Sequence, residues 1–364
     1  MKLLAAAACF VLLLLNTTVR VAVASDEARR HHHRHRRPHH QAKAKRSHKL
    51  FVFGDDFADD GNSNQGFPAW RYPYGISDTA HDGKPTGRFS DGLVQSDFLA
   101  KIMGYAESPP PYAGGGDWDN GIDASGMNFA VADSGALEVP GGALKLDAQV
   151  QQLRSLVRDG RVDHRDFMES VALVGYSGND YASANDYNLD DMVATVVDEI
   201  ASAVSQLQDM GVTKVLVNTV PPFGCSPWMA KTNNYSSCYD KGNAVSDRHN
   251  TALRDRLGDE EDVMLLDVNS VVTDLVAPRE GSALAGQFAE RLRPCCEGVA
   301  DADGGGGGGS GYCGKDGAYS LCDNPREYFF WDMVHPTHAG WRAVMQLLQG
   351  PIMAFLGISN LEHL

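Results

Sequence analysis

Short, β-branched apolar runs recur along this chain with amphipathic helical patterns between them. That alternation restricts the fold more than any other feature. The runs occupy residues 50–53, 171–174, 215–217 and 263–266. Each is too short for a helix and has the composition of a buried strand. The clearest helical pattern covers residues 191–210, where Val193, Val196, Val197, Ile200, Val204 and Leu207 share one stripe and Gly211 supplies the stop. Such alternation predicts a parallel sheet covered by helices on both faces. Sites in open parallel sheets form at the carboxyl ends of strands. Gly54-Asp55-Asp56 follows the first run and Gly178-Asn179-Asp180 follows the second. A further helix is predicted over residues 337–348, with Ala339, Val344, Leu347 and Leu348 on its apolar side, and His335 stands just before it.

The strand that runs into Gly54-Asp55-Asp56 has the frame of a serine esterase's nucleophile turn, with Asp56 where a hydroxyl is needed. Far downstream, Asp332-Met-Val-His335-Pro336 offers a carboxylate and an imidazole three residues apart. Between these ends lie Gly83-Lys-Pro-Thr-Gly-Arg-Phe-Ser-Asp-Gly92, Gly126-Met-Asn-Phe-Ala130, Gly178-Asn179-Asp180-Tyr181 and Pro221-Pro-Phe-Gly-Cys225. These blocks, in this order from about Lys49 to the C-terminus, resemble the plant GDSL esterase/lipase family, a branch of the SGNH hydrolases. The resemblance implies a three-layer α/β/α sandwich of flavodoxin-like type. It also implies His335 as general base, Asp332 as the carboxylate that orients it, Asn179 as a side-chain oxyanion donor, and no cofactor or metal.

The chain departs from that pattern at three places. Asp56 replaces the nucleophilic serine. After Asn128-Phe-Ala130, where relatives show glycines, it reads Val131-Ala132-Asp133-Ser134-Gly135, so Ala132 and Asp133 become the candidate backbone donors. Ser177 stands where a glycine often precedes the Gly-Asn-Asp step. A carboxylate has no proton to give His335, and its attack on an ester would form a high-energy anhydride. Water activated by Asp56 or His335 is one way to retain hydrolysis; general-base catalysis contributes typically ~10²–10⁴-fold. Asp55 and Asp56 beside His335 would raise the imidazole's pKa and weaken it as a base. A displaced hydroxyl from Ser177 or Ser90 is a second way, and loss of catalysis with retention of a binding pocket is a third outcome. Pro73-Tyr-Gly75, the 83–90 block and Pro109-Pro-Pro-Tyr112 look similar to wall-polysaccharide deacetylases. That resemblance implies acetyl groups on a xylan-type polymer as substrate, ahead of acyl lipids.

Residues 3–15 form an apolar run of thirteen behind Lys2 and lead to Ala22-Val23-Ala24. This predicts a secretory signal peptide over residues 1–24, since a membrane span needs roughly 20 apolar residues. No other stretch is apolar and long enough for a transmembrane segment. Residues 29–49 carry nine Lys/Arg and seven His with no acidic residue. The segment 25–48 therefore reads as a solvated, disordered arm. Its alternatives are a linker without a partner, a holder of acidic polysaccharide, and a histidine metal site. From residue 51 onward 21 Lys/Arg face 45 Asp/Glu, a net charge of −24. That excess argues against nucleic acid as a partner of the domain at 49–364.

Of seven cysteines, Cys9 lies in the predicted signal. Cys225, Cys238, Cys295, Cys296, Cys313 and Cys322 remain, an even set that predicts up to three disulfides of open connectivity. Zinc is the alternative, against which the missing Cys-x₂-Cys pair counts. Asn234-Tyr-Ser236 is an N-glycosylation acceptor. The expected location is the secretory pathway, either the extracellular wall or the Golgi lumen. A run of six glycines, 304–309, predicts a flexible excursion on a disulfide-tied loop.

Overall fold

The computed structural model describes residues 48–114, 121–139, 142–185, 187–298, 313 and 319–359. The predicted signal peptide, nearly all of the basic arm and the six-glycine run lie outside the described residues. All four predicted strands form: β1 (Leu50–Gly54), β3 (Val171–Gly175), β4 (Lys214–Asn218) and β5 (Val263–Leu266). A fifth, β2 (Gly126–Asn128), completes a parallel sheet of order β2-β1-β3-β4-β5. This is the doubly wound order whose switch point lies between β1 and β3.

Strand residues alternate strictly between two cores, as the period of a pleated strand requires. Leu50, Val52, Val171, Leu173 and Leu216 face one side, where α1 (Gln95–Ile102), α5 (Val268–Val276) and α6 (His338–Leu356) pack. Phe51, Phe53, Ala172, Val174, Val215 and Val217 face the other, under α2 (Leu146–Arg158), α3 (Leu189–Met210) and α4 (Asp240–Leu257). The result is the expected three-layer α/β/α arrangement.

The predicted helix over 191–210 starts two residues earlier and ends at Gly211, whose left-handed backbone (φ 109°) closes it. The last helix departs more from expectation, running through Gly350 and Pro351 to Leu356 instead of stopping at Leu348. Burial explains the extension: Ile352, Met353 and Leu356 continue the apolar stripe begun by Trp341, Val344 and Leu348. Pro351 deprives the Leu347 carbonyl of its helical donor, but Leu347 lies on the exposed side, where water can take its place.

Three disulfides form: Cys225–Cys238, Cys295–Cys322 and Cys296–Cys313. They consume all six candidate thiols, which removes the zinc alternative and fits an oxidising compartment. Two of the three flank a short pairing of β6 (Glu290–Pro294) with β9 (Tyr328–Phe330), beside the antiparallel pair β7 (Cys296–Gly298) and β8 (Tyr319–Leu321). Cys295 and Cys296 donate their N–H groups to the carbonyls of Phe330 and Trp331. The staples thus hold the strand that feeds the turn at Asp332. Asn234 is exposed on the loop closed by Cys225–Cys238. Among the described residues no helix is long and apolar enough to cross a membrane.

Candidate functional site

β1 and β3 end side by side, with Gly54 opposite Gly175. A side chain at Gly54 would bring its Cβ within 2.2 Å of the Gly175 carbonyl oxygen, so only glycine fits there. Gln149 of α2 clasps the strand end, accepting from the Gly54 N–H and donating to its carbonyl, each at 2.9 Å. The chain then turns, and the Asp55 carboxylate receives the N–H groups of Phe57 (3.1 Å) and Ser177 (2.6 Å) and the Ser177 hydroxyl (2.7 Å). Asp55 therefore ties the β1 turn to the β3 turn and leaves Asp56 aimed between them. Burial, then the neighbouring Asp56 charge, pushes the Asp55 carboxyl well above the usual carboxylate range, against the donors of Ser177 and Phe57.

The second half comes from the turn after β9. The Asp332 carboxylate accepts from the N–H groups of Val334 (2.9 Å) and His335 (2.8 Å), which closes the turn on its own side chain. The Trp331 N–H donates to the His335 carbonyl at 2.7 Å, fixing the other edge. His335 is folded back so that its Nδ1 lies 2.8 Å from both Asp332 oxygens. Thr337 then caps α6. The Asp-x-x-His spacing is what permits this closure.

The two halves meet. Nε2 of His335 lies 2.7 Å from Oδ2 of Asp56, across 279 residues of sequence. Oδ1 of Asp56 accepts from Nδ2 of Asn179 and from the N–H of Asp133, both at 3.2 Å. Asp133 adopts a left-handed backbone (φ 60°), which an aspartate tolerates better than most side chains. The other candidate amide, Ala132, instead donates to Asp59 at 2.9 Å and does not reach the site. Asp59 also accepts from Gly61, Asn62 and Ser63, holding the acidic turn; burial lifts its pKa to about 6 despite those donors. Ser177 spends its hydroxyl on Asp55, and the Ser90 hydroxyl is buried beside Asp91. Neither is bonded to His335.

With both ring nitrogens facing carboxylates, His335 satisfies both only as a double donor. Burial works against its charge, but Asp332 and then Asp56 outweigh burial and lift its pKa to about 10. For Asp56, burial raises the carboxyl, and the hydrogen bond and charge of His335 more than reverse this, holding it below the usual range. The two shifts describe one buried pair, imidazolium with carboxylate. Burial, then the charge of Asp56, raises Asp133, and His335 partly offsets them.

Two contacts with this centre were assigned no role from sequence. The Tyr74 hydroxyl donates to Oδ2 of Asp332 at 2.8 Å, and the Phe89 ring lies 4.8 Å from the His335 ring. Both sit in a satellite core with Trp331 and the buried cysteines of the two flanking staples. Tyr74 belongs to a Pro-Tyr-Gly step that stood out by resemblance, but nothing in it announces a partner 258 residues away.

Next to the site opens a cavity of about 590 Å³. Its near wall is Asn179, Phe57 and Pro336, and its interior is largely apolar, including Phe223, Val245 and Phe330. Trp228 and Tyr239 line it and remain substantially exposed.

Comparison with known proteins agrees with this architecture. Residues 50–348 match the family described as GDSL-like Lipase/Acylhydrolase. A GDSL esterase/lipase of Arabidopsis thaliana is 36% identical over 328 residues, covering 85% of this chain and 95% of the relative. Another from the same plant is 32% identical over 330 residues, covering 85% and 88%. A GDSL lipase of Tanacetum cinerariifolium is 30% identical over 317 residues, covering 82% of each. The family match spans the sheet, the Asp56 turn and the His335 turn alike, and the chain belongs to the GDSL lipase/acylhydrolase family.

Proposed function

We propose that this protein is a weak carboxylic ester hydrolase whose base, His335, acts on water instead of on a serine. The observation that carries the reading is the chain of contacts Asp332–His335–Asp56, with Asn179 on the far oxygen. Hydrolysis would begin when His335 loses its second proton. Neutral imidazole then removes a proton from water, and the water oxygen attacks the ester carbonyl. The developing oxyanion would be received by Nδ2 of Asn179 and the Asp133 N–H, and Asp332 keeps the ring oriented. Two features make this slow. His335 holds its proton far above neutral pH, and Asp56 occupies both oxyanion donors.

The same occupancy favours a second reading, a catalytically lapsed member that binds its ester or a glycan without cleaving it. Comparing purified protein with His335→Ala separates them. Ester hydrolysis that falls at least tenfold in the variant supports the enzyme; a rate equal to the buffer blank in both supports the binding protein.

For the substrate, the apolar interior of the neighbouring cavity supports an acyl chain longer than acetyl. The exposed rings of Trp228 and Tyr239 support a sugar polymer stacked at the same opening. That is consistent with acetyl groups on a wall polysaccharide, the substrate implied by the motifs. Rates on p-nitrophenyl acetate, p-nitrophenyl decanoate and acetylated xylan decide between them. We place the protein in the secretory pathway, glycosylated at Asn234, on the strength of its disulfides and the exposure of that residue. The basic arm remains a proposed contact for acidic polysaccharide.

A further inference from the structure

We propose that Asp56 is the nucleophile of a second reaction, the opening of an epoxide carried on an apolar chain to a vicinal diol through an ester formed with Asp56. The inference goes beyond ester hydrolysis and rests on the same reading of Asp56, His335 and Asp332 as the reactive centre. A carboxylate attacking an ester carbonyl gains nothing, because the anhydride it forms is more reactive than the ester. Attack on a saturated carbon gives an ordinary ester, and a three-membered ring supplies its strain.

The donors point to this chemistry. In a serine enzyme the oxyanion donors face the substrate's carbonyl. Here Nδ2 of Asn179 and the Asp133 N–H both face Oδ1 of Asp56 itself. They are positioned to stabilise a tetrahedral centre at the Asp56 carboxyl carbon, which arises only if Asp56 has become an ester. Oδ2, the other oxygen, faces the His335 ring, whose proton an opening oxirane needs. Asn179, which bonds Asp56, forms part of the wall of the apolar cavity, as do Phe57 and Pro336, the residues that follow Asp56 and His335 in sequence.

The steps balance. Oδ2 of Asp56 bonds to a ring carbon, the bond from that carbon to the ring oxygen breaks, and the oxygen takes the proton of Nε2. This leaves a hydroxyalkyl ester and neutral His335. Esterification also erases the Asp56 charge, one of the two that keep His335 protonated, so the imidazole becomes a base when a base is required. It removes a proton from water, whose oxygen adds to the Asp56 carboxyl carbon, and negative charge gathers on Oδ1 between its two donors. Collapse breaks the bond between that carbon and Oδ2. The diol leaves with Oδ2 as its new hydroxyl oxygen and takes a proton from His335. The regenerated carboxyl returns its proton to the imidazole. The sum is epoxide plus water giving diol.

The test is a single turnover of epoxydecane by excess wild-type protein in heavy-oxygen water. The expected result is decanediol without heavy oxygen, and heavy oxygen in the peptide that carries Asp56. Asp56→Ser should abolish diol formation while raising hydrolysis of p-nitrophenyl decanoate, so the two activities move in opposite directions. No diol and no labelled peptide, from wild-type protein that melts cooperatively, overturns the proposal. Heavy oxygen found in the first-turnover diol with a light Asp56 peptide overturns it too. If Asp56→Ser gains ester hydrolysis in those cases, the ester reading of the centre survives alone; if it gains nothing, both fall.

Discussion

Replacing Asp56 with serine supplies a hydroxyl at the position from which His335 would draw a proton and removes one of the two carboxylates that hold the ring charged. The size of the effect follows from the site. With a pKa of about 10, only about one His335 in a thousand is a free base at pH 7. Losing the Asp56 partner lowers the imidazole pKa part of the way toward its ordinary value of 6.5, because Asp332, the larger of the two influences, stays in place. A complete return would raise the free base at pH 7 by just under about 10³-fold, and the gain in available base alone lies below that ceiling. The serine also vacates Oδ1, freeing Asn179 and the Asp133 N–H for a substrate oxyanion, and removal of one such donor costs about 10²–10³ in other enzymes. We therefore expect Asp56→Ser to hydrolyse p-nitrophenyl esters at least about 10²-fold faster than wild type. It should also react covalently with a fluorophosphonate probe, and wild type should not. Initial rates and intact mass read both outcomes. A folded Asp56→Ser protein with an unchanged rate and no adduct would refute the claim that these residues form a hydrolytic centre.

Other consequences follow from the same contacts. Residual ester hydrolysis by wild type should climb with pH from 7 and level off near 10, because the base appears only as the imidazolium loses its proton; a profile flat over that range contradicts it. Stability carries the matching sign. A histidine whose folded pKa of about 10 exceeds its ordinary 6.5 stabilises fully below 6.5, and that contribution is lost as pH rises through 10. Melting curves should therefore show wild type falling more steeply than His335→Gln between those limits. In the Asp56→Ser background, Asn179→Ala should lower kcat by about 10²-fold or more, with little change in melting temperature. Tyr74→Phe removes a buried donor to Asp332 and should cost about 1–2 kcal/mol in denaturant unfolding.

The sheet was legible because its central strands are unbroken apolar runs that no exposed element would carry. β2 was not, since Gly126-Met127-Asn128 has one apolar side chain and owes its place to pairing with Leu50 and Phe51. The end of α6 was misjudged because Gly350-Pro351 is a local stop signal, and burial of Ile352 and Leu356 overrides it. At the site, Asp332 and His335 stood out through the resemblance of the ordered blocks, and the closed turn that brings the ring onto the carboxylate is seen only in the structure. Asn179 was readable from its block. Asp133 and Ala132 could not be told apart, because which amide turns inward depends on Asp59 capturing one of them from 73 residues away. Tyr74, Phe89 and Gln149 act across even longer separations, and no local pattern marks such partners.

Everything proposed for this centre depends on the charge of one imidazole. Isotope-labelled histidine, followed by nuclear magnetic resonance through a pH titration, reports both ring nitrogens of His335 directly. The account predicts two protonated nitrogens from pH 6 to 9, deprotonation near 10, and a downward shift of that midpoint in Asp56→Ser. A ring that is already neutral at pH 7, or a midpoint indifferent to Asp56→Ser, would contradict it.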